Sequence, residues 1–233
     1  MWENGLTRRE VLTGAGVTVA LPLAGLAADS DVAKVPFPKD GAEALLRLKE
    51  GNARFADSMT RHAHESANWR KQLVSTQKPF ATILGCSDSR VPVELIFDQG
   101  FGDLFVVRVA GNVIAPDVVG SLGYAIEHLE TPLVLVVGHR GCGAVTAAVQ
   151  AMDGKLDPLP GVNALVELIT PGLPKPKPEL SLEQRIDSAV EANVQWSMMQ
   201  LAKLPGAKKV LESGQVTLAG AVYDLATGRV RFL

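Results

Sequence analysis

The chain is 233 residues long, 47 % hydrophobic and 5 % aromatic, with a formal net charge of −2. That length suits one domain with an ample hydrophobic core. The near-neutral charge and scarce aromatics exclude a nucleic-acid binder built on basic grooves or stacking platforms, and give no electrostatic case for an anionic membrane surface. No internal repeat is visible, and no stretch is long enough to span a bilayer.

The N-terminus reads as a targeting segment. Thr7-Arg8-Arg9-Glu10-Val11-Leu12 is a twin-arginine signature, followed by a mildly apolar run over 11–26 and then Ala27-Ala28-Asp29. Charge, apolar run and small residues in that order are the layout of a cleaved export signal. Gly14, Gly16, Pro22 and Gly25 argue against an ordinary amphipathic helix. The expectation is a signal peptide over 1–28, removed on export by the twin-arginine machinery, then a linker over 29–38 and one domain over 39–233. Such a protein is periplasmic or secreted. No cysteine follows the apolar run, so no lipid anchor or other stable membrane anchor is expected.

Residues 42–57 carry helical spacing through Leu45, Leu48, Ala53 and Phe55, and 69–75 predict a second short helix. The compact apolar runs 80–85, 104–109 and 133–138 predict buried parallel strands. Helical periodicity returns over 118–129 and again from 144 to 152. Residues 153–178, rich in Pro and Gly, predict a long surface excursion. A long helix is expected over 182–204, and a closing hairpin pairs 215–223 with 229–232 through Ala226-Thr227-Gly228. Strands alternating with helices give an α/β fold: a single domain with a mainly parallel sheet, flanked by helices and ended by a hairpin.

Chemistry concentrates in two segments 53 residues apart, Cys86-Ser87-Asp88-Ser89-Arg90 and His139-Arg140-Gly141-Cys142-Gly143. The chain has two cysteines, one in each. Two thiolates and one imidazole make the ligand set of a catalytic zinc with an open fourth position. Each segment begins where a predicted strand ends, where open α/β sheets bind ligands. The competing reading is a structural Cys86–Cys142 disulfide in an oxidising compartment; it leaves Asp88, Arg90 and His139 without a role. A twin-arginine route exports folded protein, so zinc loaded in the cytosol would shield both thiolates. Asp88 is near enough to reach the metal's fourth position, and the Arg90 guanidinium can hold that carboxylate at two points. Gly143 stands at a predicted helix N-terminus, where N–H groups favour anions, although glycine there also suits close helix–sheet packing.

With these residues in view, the chain resembles the β-class carbonic anhydrases. The resemblance rests on Cys86-Ser87-Asp88-Ser89-Arg90-Val91, Phe105-Val106-Val107-Arg108 with Ala110-Gly111-Asn112, Gly138-His139-Arg140-Gly141-Cys142-Gly143, and Val222-Tyr223-Asp224 with Thr227-Gly228. It implies one zinc per chain on Cys86, His139 and Cys142, an Asp88–Arg90 catalytic dyad, and hydration of carbon dioxide to bicarbonate and a proton by zinc-bound hydroxide. The plant-type branch is matched further by Gln77, which there donates to bicarbonate from the neighbouring subunit, and by Phe105 and Tyr124 around the carbon dioxide pocket. That branch implies a homodimer or tetramer. The other expectations weighed are hydrolysis of carbon disulfide or carbonyl sulfide on the same scaffold, a non-catalytic zinc or anion-binding relative, and a thiol–disulfide oxidoreductase. The last would favour a Cys-x-x-Cys pair, which this chain does not have. His62 and His64 read as a solvated helix end, His128 as a packed or rim residue and Arg140 as a rim charge. Asp103 is expected to pair with Arg108, and Asp98 to pair structurally as well.

Overall fold

The computed structural model of the chain describes residues 36–155 and 159–233. The expected signal peptide, and the linker as far as residue 35, lie outside the described residues. Five strands, β1 (Ala81–Gly85), β2 (Leu104–Arg108), β3 (Leu133–His139), β4 (Thr217–Tyr223) and β5 (Val230–Phe232), form one sheet in the order β2-β1-β3-β4-β5. The β1–β2, β1–β3 and β3–β4 pairs are parallel, and β5 returns antiparallel on β4, with Ala221 opposite Phe232. The helices are α1 (Gly41–Ala56), α2 (Ala67–Gln72), α3 (Val93–Ile96), α4 (Pro116–Glu127), α5 (Gly143–Met152), α6 (Pro160–Ile169), α7 (Leu182–Ala202) and α8 (Ala207–Glu212).

Every residue of β1 and β3 is buried, as expected where helices cover both faces of a parallel sheet. The two-residue period of a strand then sorts side chains between two cores. Ile83, Leu133, Leu135 and Val137 pack with Ala44 and Leu48 of α1 and Ile96 of α3. Leu84, Val134 and Val136 pack on the opposite face with Val145, Ile169, Val190 and Val194. Local signals fix where the helices start. Asp40 caps α1 by accepting from the Glu43 N–H, and Ser181 and Gln184 cap α7 reciprocally, supplying partners for N–H groups the helix leaves orphaned.

Two departures from the expected elements have local causes. The excursion over 153–178 contains α6, whose Val166 and Ile169 are buried. Pro160 opens that helix at its first turn, where the missing N–H costs nothing; reading proline as punctuation hid it. α4 starts two residues before its expectation for the same reason, at Pro116. α7 lies close on the sheet because Gly138 of β3 and Gly220 of β4 face it. A Cβ on Gly138 would come within 2.6 Å of Val194 Cγ2, and one on Gly220 within 2.8 Å of Val194 Cγ1. This seats the buried face of α7 beneath the carboxyl end of β3.

Candidate metal centre

Cys86 follows β1 directly, His139 is the last residue of β3, and Cys142 is the N-cap of α5. Parallel neighbours end together at one edge, so residues distant in sequence meet there. The three candidate ligand atoms lie within 4.8 Å of one another, all three residues are buried, and no other such group of His, Cys, Asp and Glu occurs among the described residues. The sulfurs stand 3.9 Å apart as free thiols, far beyond the roughly 2.05 Å of a disulfide, so the bridge weighed from the sequence is not formed.

The histidine is poised as a ligand. Its Nδ1 is 3.0 Å from the Arg140 carbonyl, which can only accept, so Nδ1 carries the proton and Nε2 presents its lone pair. Nε2 is buried without a hydrogen-bond partner, a costly state for a polar atom unless something else binds it. The two sulfurs share a hydrogen bond that, before any other influence, holds the Cys86 thiol well below its ordinary range; burial opposes this, while the Gly111 N–H assists. The same hydrogen bond, followed by burial, pushes the Cys142 thiol up. Two soft sulfurs and an unpartnered imidazole nitrogen fit zinc.

Beside this group the Arg90 guanidinium grips the Asp88 carboxylate at two points, Nε to Oδ1 at 2.9 Å and Nη2 to Oδ2 at 2.7 Å, and the Arg90 N–H adds a third bond of 2.9 Å. Arg90's side-chain hydrogen bonds hold Asp88 well below the usual carboxylate range against its partial burial. Asp88 Oδ2 is 3.8 Å from His139 Nε2. The dyad expected from the sequence is therefore assembled, with the carboxylate next to the ligand group and committed to the arginine.

Gly143 is the first residue of α5 and is exposed. A Cβ there would meet nothing within 4 Å, so the alternative reading of steric room for helix–sheet packing falls away. The remaining three candidates lie apart from the ligands of their own chain. Gln77 is exposed and lines a shallow depression with Arg70, Leu73 and Phe101. Phe105 sits opposite Thr82, four residues before Cys86 and so about 13 Å back along the strand. Tyr124 of α4 is half exposed, its ring 6.1 Å from Phe105 and 5.2 Å from His128.

Several pairings differ from expectation. Arg108 does not pair with Asp103: its Nε donates to the Cys86 carbonyl at 2.9 Å and its Nη2 to the Asp88 carbonyl at 2.6 Å. It thereby ties down the segment bearing a ligand and the dyad acid. Asp103 is bound instead by Arg47 and by His64, which stacks on Trp69. His64 is thus a half-buried structural residue, whereas His62 is exposed. Asp98 pairs with Arg54. Arg140 is the expected rim charge, between Asp187 and Asp224. The sequence reading gave no role to Asn193 and Ser197 of α7, both buried; Asn193 donates to the Gly111 carbonyl and Ser197 to the Asn112 carbonyl.

Comparison with known proteins gives the family. The family model described as carbonic anhydrase matches residues 81–230. A carbonic anhydrase of Mycolicibacterium smegmatis is 42 % identical over 185 residues, covering 78 % of this chain and 88 % of that protein. Carbonic anhydrase 2 of Mycobacterium tuberculosis is 40 % identical over 184 residues, covering 78 % and 87 %. The solved structure of the β-carbonic anhydrase CcaA superposes with a TM-score of 0.65 at 28 % identity, covering 81 % of this chain and 94 % of that one. With its ligand group at the strand ends and the Asp88–Arg90 pair beside it, the chain belongs to the β-carbonic anhydrase family.

Proposed function

We propose that the protein catalyses the reversible hydration of carbon dioxide to bicarbonate and a proton, using one zinc ion per chain held by Cys86, His139 and Cys142. The observation that carries the reading is the unpartnered, buried Nε2 of His139 facing two sulfurs, with a carboxylate gripped by arginine alongside. When bound, zinc supplies Lewis acidity and lowers the pKa of a water.

The protein's residues supply the rest. Arg90 holds the Asp88 carboxylate ionised and turned toward itself, so the acid accepts a hydrogen bond from the attacking water's oxygen without filling the open position. That orients one oxygen lone pair toward the carbon of carbon dioxide. A carbon–oxygen bond forms, one carbon–oxygen π bond breaks onto the second oxygen, and the water's surplus proton leaves to buffer. The bicarbonate product meets the N–H groups of the first turn of α5 beyond Cys142, where an anion is favoured. The test is metal analysis with stopped-flow carbon dioxide hydration. Wild type is expected to carry one zinc per chain and to turn over; Cys142→Ala is expected to lose nearly all zinc and activity. Full zinc stoichiometry in Cys142→Ala would sink the ligand assignment.

We further propose the plant-type arrangement, in which a homodimer or tetramer brings Gln77, Phe105 and Tyr124 to a neighbour's centre. The exposure of Gln77 and Tyr124, and the position of half-buried Phe105 well back along its strand from the ligands of its own chain, support it. Export by the twin-arginine route to the periplasm is proposed from Arg8-Arg9, the dilute apolar run and Ala27-Ala28. Mature protein recovered outside the cytosol should begin near Asp29 by mass spectrometry. Recovery of only cytosolic protein starting at Met1 contradicts export.

A further inference from the structure

We propose that Asn193 is a positioning residue for the metal centre, acting through the Gly111 peptide to hold a hydrogen bond on the Cys86 sulfur. The inference rests on the reading of Cys86, His139 and Cys142 as metal ligands. The Gly111 N–H points at Cys86 Sγ, 3.3 Å away. The carbonyl of Gly111 accepts from Asn193 Nδ2 at 2.8 Å. These two groups belong to adjacent peptides hinged at the Gly111 Cα, and glycine leaves that hinge soft. The softer the hinge, the more the N–H depends on anchors on both sides of it, and the bond to the carbonyl limits how far the turn that carries the N–H can swing.

The turn that carries them needs such an anchor. Residues Ala110–Asn112 form a single short turn in which Gly111 has φ +69° and Asn112 φ +45°. The second value lies in a region that L side chains seldom adopt. Substitution cannot relieve it at Gly111, where a Cβ would come within 2.8 Å of Ile169 Cδ1 and 3.1 Å of the Ala144 Cβ. α7 braces the turn with two buried polar residues one helical turn apart. Asn193 takes the Gly111 carbonyl, and Ser197 Oγ takes the Asn112 carbonyl at 3.0 Å.

Asn193 makes that contact at a cost. Because its partner is a carbonyl, the near atom must be the amide nitrogen, and Oδ1 is left buried without a partner. Leucine, of similar branched shape, would carry no orphaned oxygen but would leave the Gly111 carbonyl without this donor. The asparagine is accounted for by the donor it supplies. Hydrogen bonds to a ligand's own atoms set its basicity and orientation toward a metal. An N–H on a thiolate drains electron density from the sulfur, so losing it raises the energy of the sulfur donor orbital.

The test uses full-length protein loaded with cobalt(II) and, separately, zinc. In Asn193→Leu the sulfur-to-cobalt charge-transfer band is expected to move to longer wavelength, and zinc affinity in a chelator competition to fall about 10- to 100-fold. Asn193→Ala, which cannot donate and adds neither bulk nor charge, provides the same readout should the leucine variant not fold. Ser197→Ala, which loosens the same turn without touching Gly111, is expected to leave the band at its wild-type position. A wild-type band and wild-type zinc affinity in a folded Asn193 variant overturn the proposal. So does an equal band shift in Ser197→Ala, which would mean general loosening of α7. Absence of any charge-transfer band in the cobalt-loaded wild type sinks the metal-centre reading and this proposal together; a wild-type band that the variants do not move sinks the proposal alone.

Discussion

At the scale of single residues, Asp88 has two possible partners within reach, the Arg90 fork and the metal position beside His139 Nε2. The arginine holds it, and the pair is exposed on the Arg90 side, so it contributes little to stability. Its value lies in where it leaves the carboxylate. Arg90→Ala is therefore expected to keep its zinc and its melting temperature while hydration turnover falls about 10²- to 10³-fold, the loss typical of a misplaced charge-stabilising group. Arg90→Lys should not rescue it, because an ammonium cannot make the planar two-point contact. Stopped-flow rates with metal analysis decide the matter; near wild-type turnover in Arg90→Ala would reduce Arg90 to a surface charge. The ligands and this dyad were legible in the sequence because their chemistry is local, packed into two short segments at strand ends. Arg108, Gly111 and Asn193 were not legible in role. Arg108 spends its guanidinium on backbone carbonyls, which no residue pattern encodes, and the Asn193–Gly111 contact joins positions 82 residues apart.

At the scale of elements, β1 and β3 were legible because burial on both faces makes each an unbroken apolar run, whereas β2, expected to be equally buried, is only half-buried because it lies at the sheet edge. α6 was not, because its helix-opening proline and the surrounding glycines look like loop chemistry until Ile169 is seen to pack under Gly111. α5 and α7, which bracket the centre, are joined where the α5 C-cap Asp153 receives two bonds from Arg185, at 2.7 and 2.6 Å. Arg185's side-chain hydrogen bonds, more than its charge, hold Asp153 below its ordinary range despite opposing burial. A carboxylate depressed in the folded state stabilises above its unfolded pKa of about 3.9, and that contribution is lost as pH falls toward its folded value. Asp153→Asn is thus expected to melt below wild type at pH 7. The gap should narrow steadily as pH drops from 5 to 3. A gap independent of pH, measured by calorimetry, would mean that the substitution acts through packing and not through the charge pair.

At the scale of the whole molecule, one chain assembles the ligands and the dyad but leaves Gln77, Phe105 and Tyr124 away from them. On the proposed dimer, each of these serves the centre of the neighbouring subunit, so a complete site is composed from two chains. This makes a prediction that no single-chain site can satisfy. Gln77→Ala damages the site of the partner, whereas Cys142→Ala destroys the centre of its own chain. In a heterodimer of the two variants, the chain with intact ligands receives an intact Gln77 from the other, and one complete site is restored. With a twofold interface and random pairing, half of the dimers are mixed, so about a quarter of wild-type sites are expected to return. Co-expressing the two variants with different affinity tags, purifying the doubly tagged dimer and measuring carbon dioxide hydration per zinc tests this directly. The mixed dimer should approach wild-type turnover per zinc, well above Gln77→Ala alone. If it turns over at the Gln77→Ala rate, Gln77 acts within its own chain or not at all. An active monomer by light scattering would remove the shared site altogether.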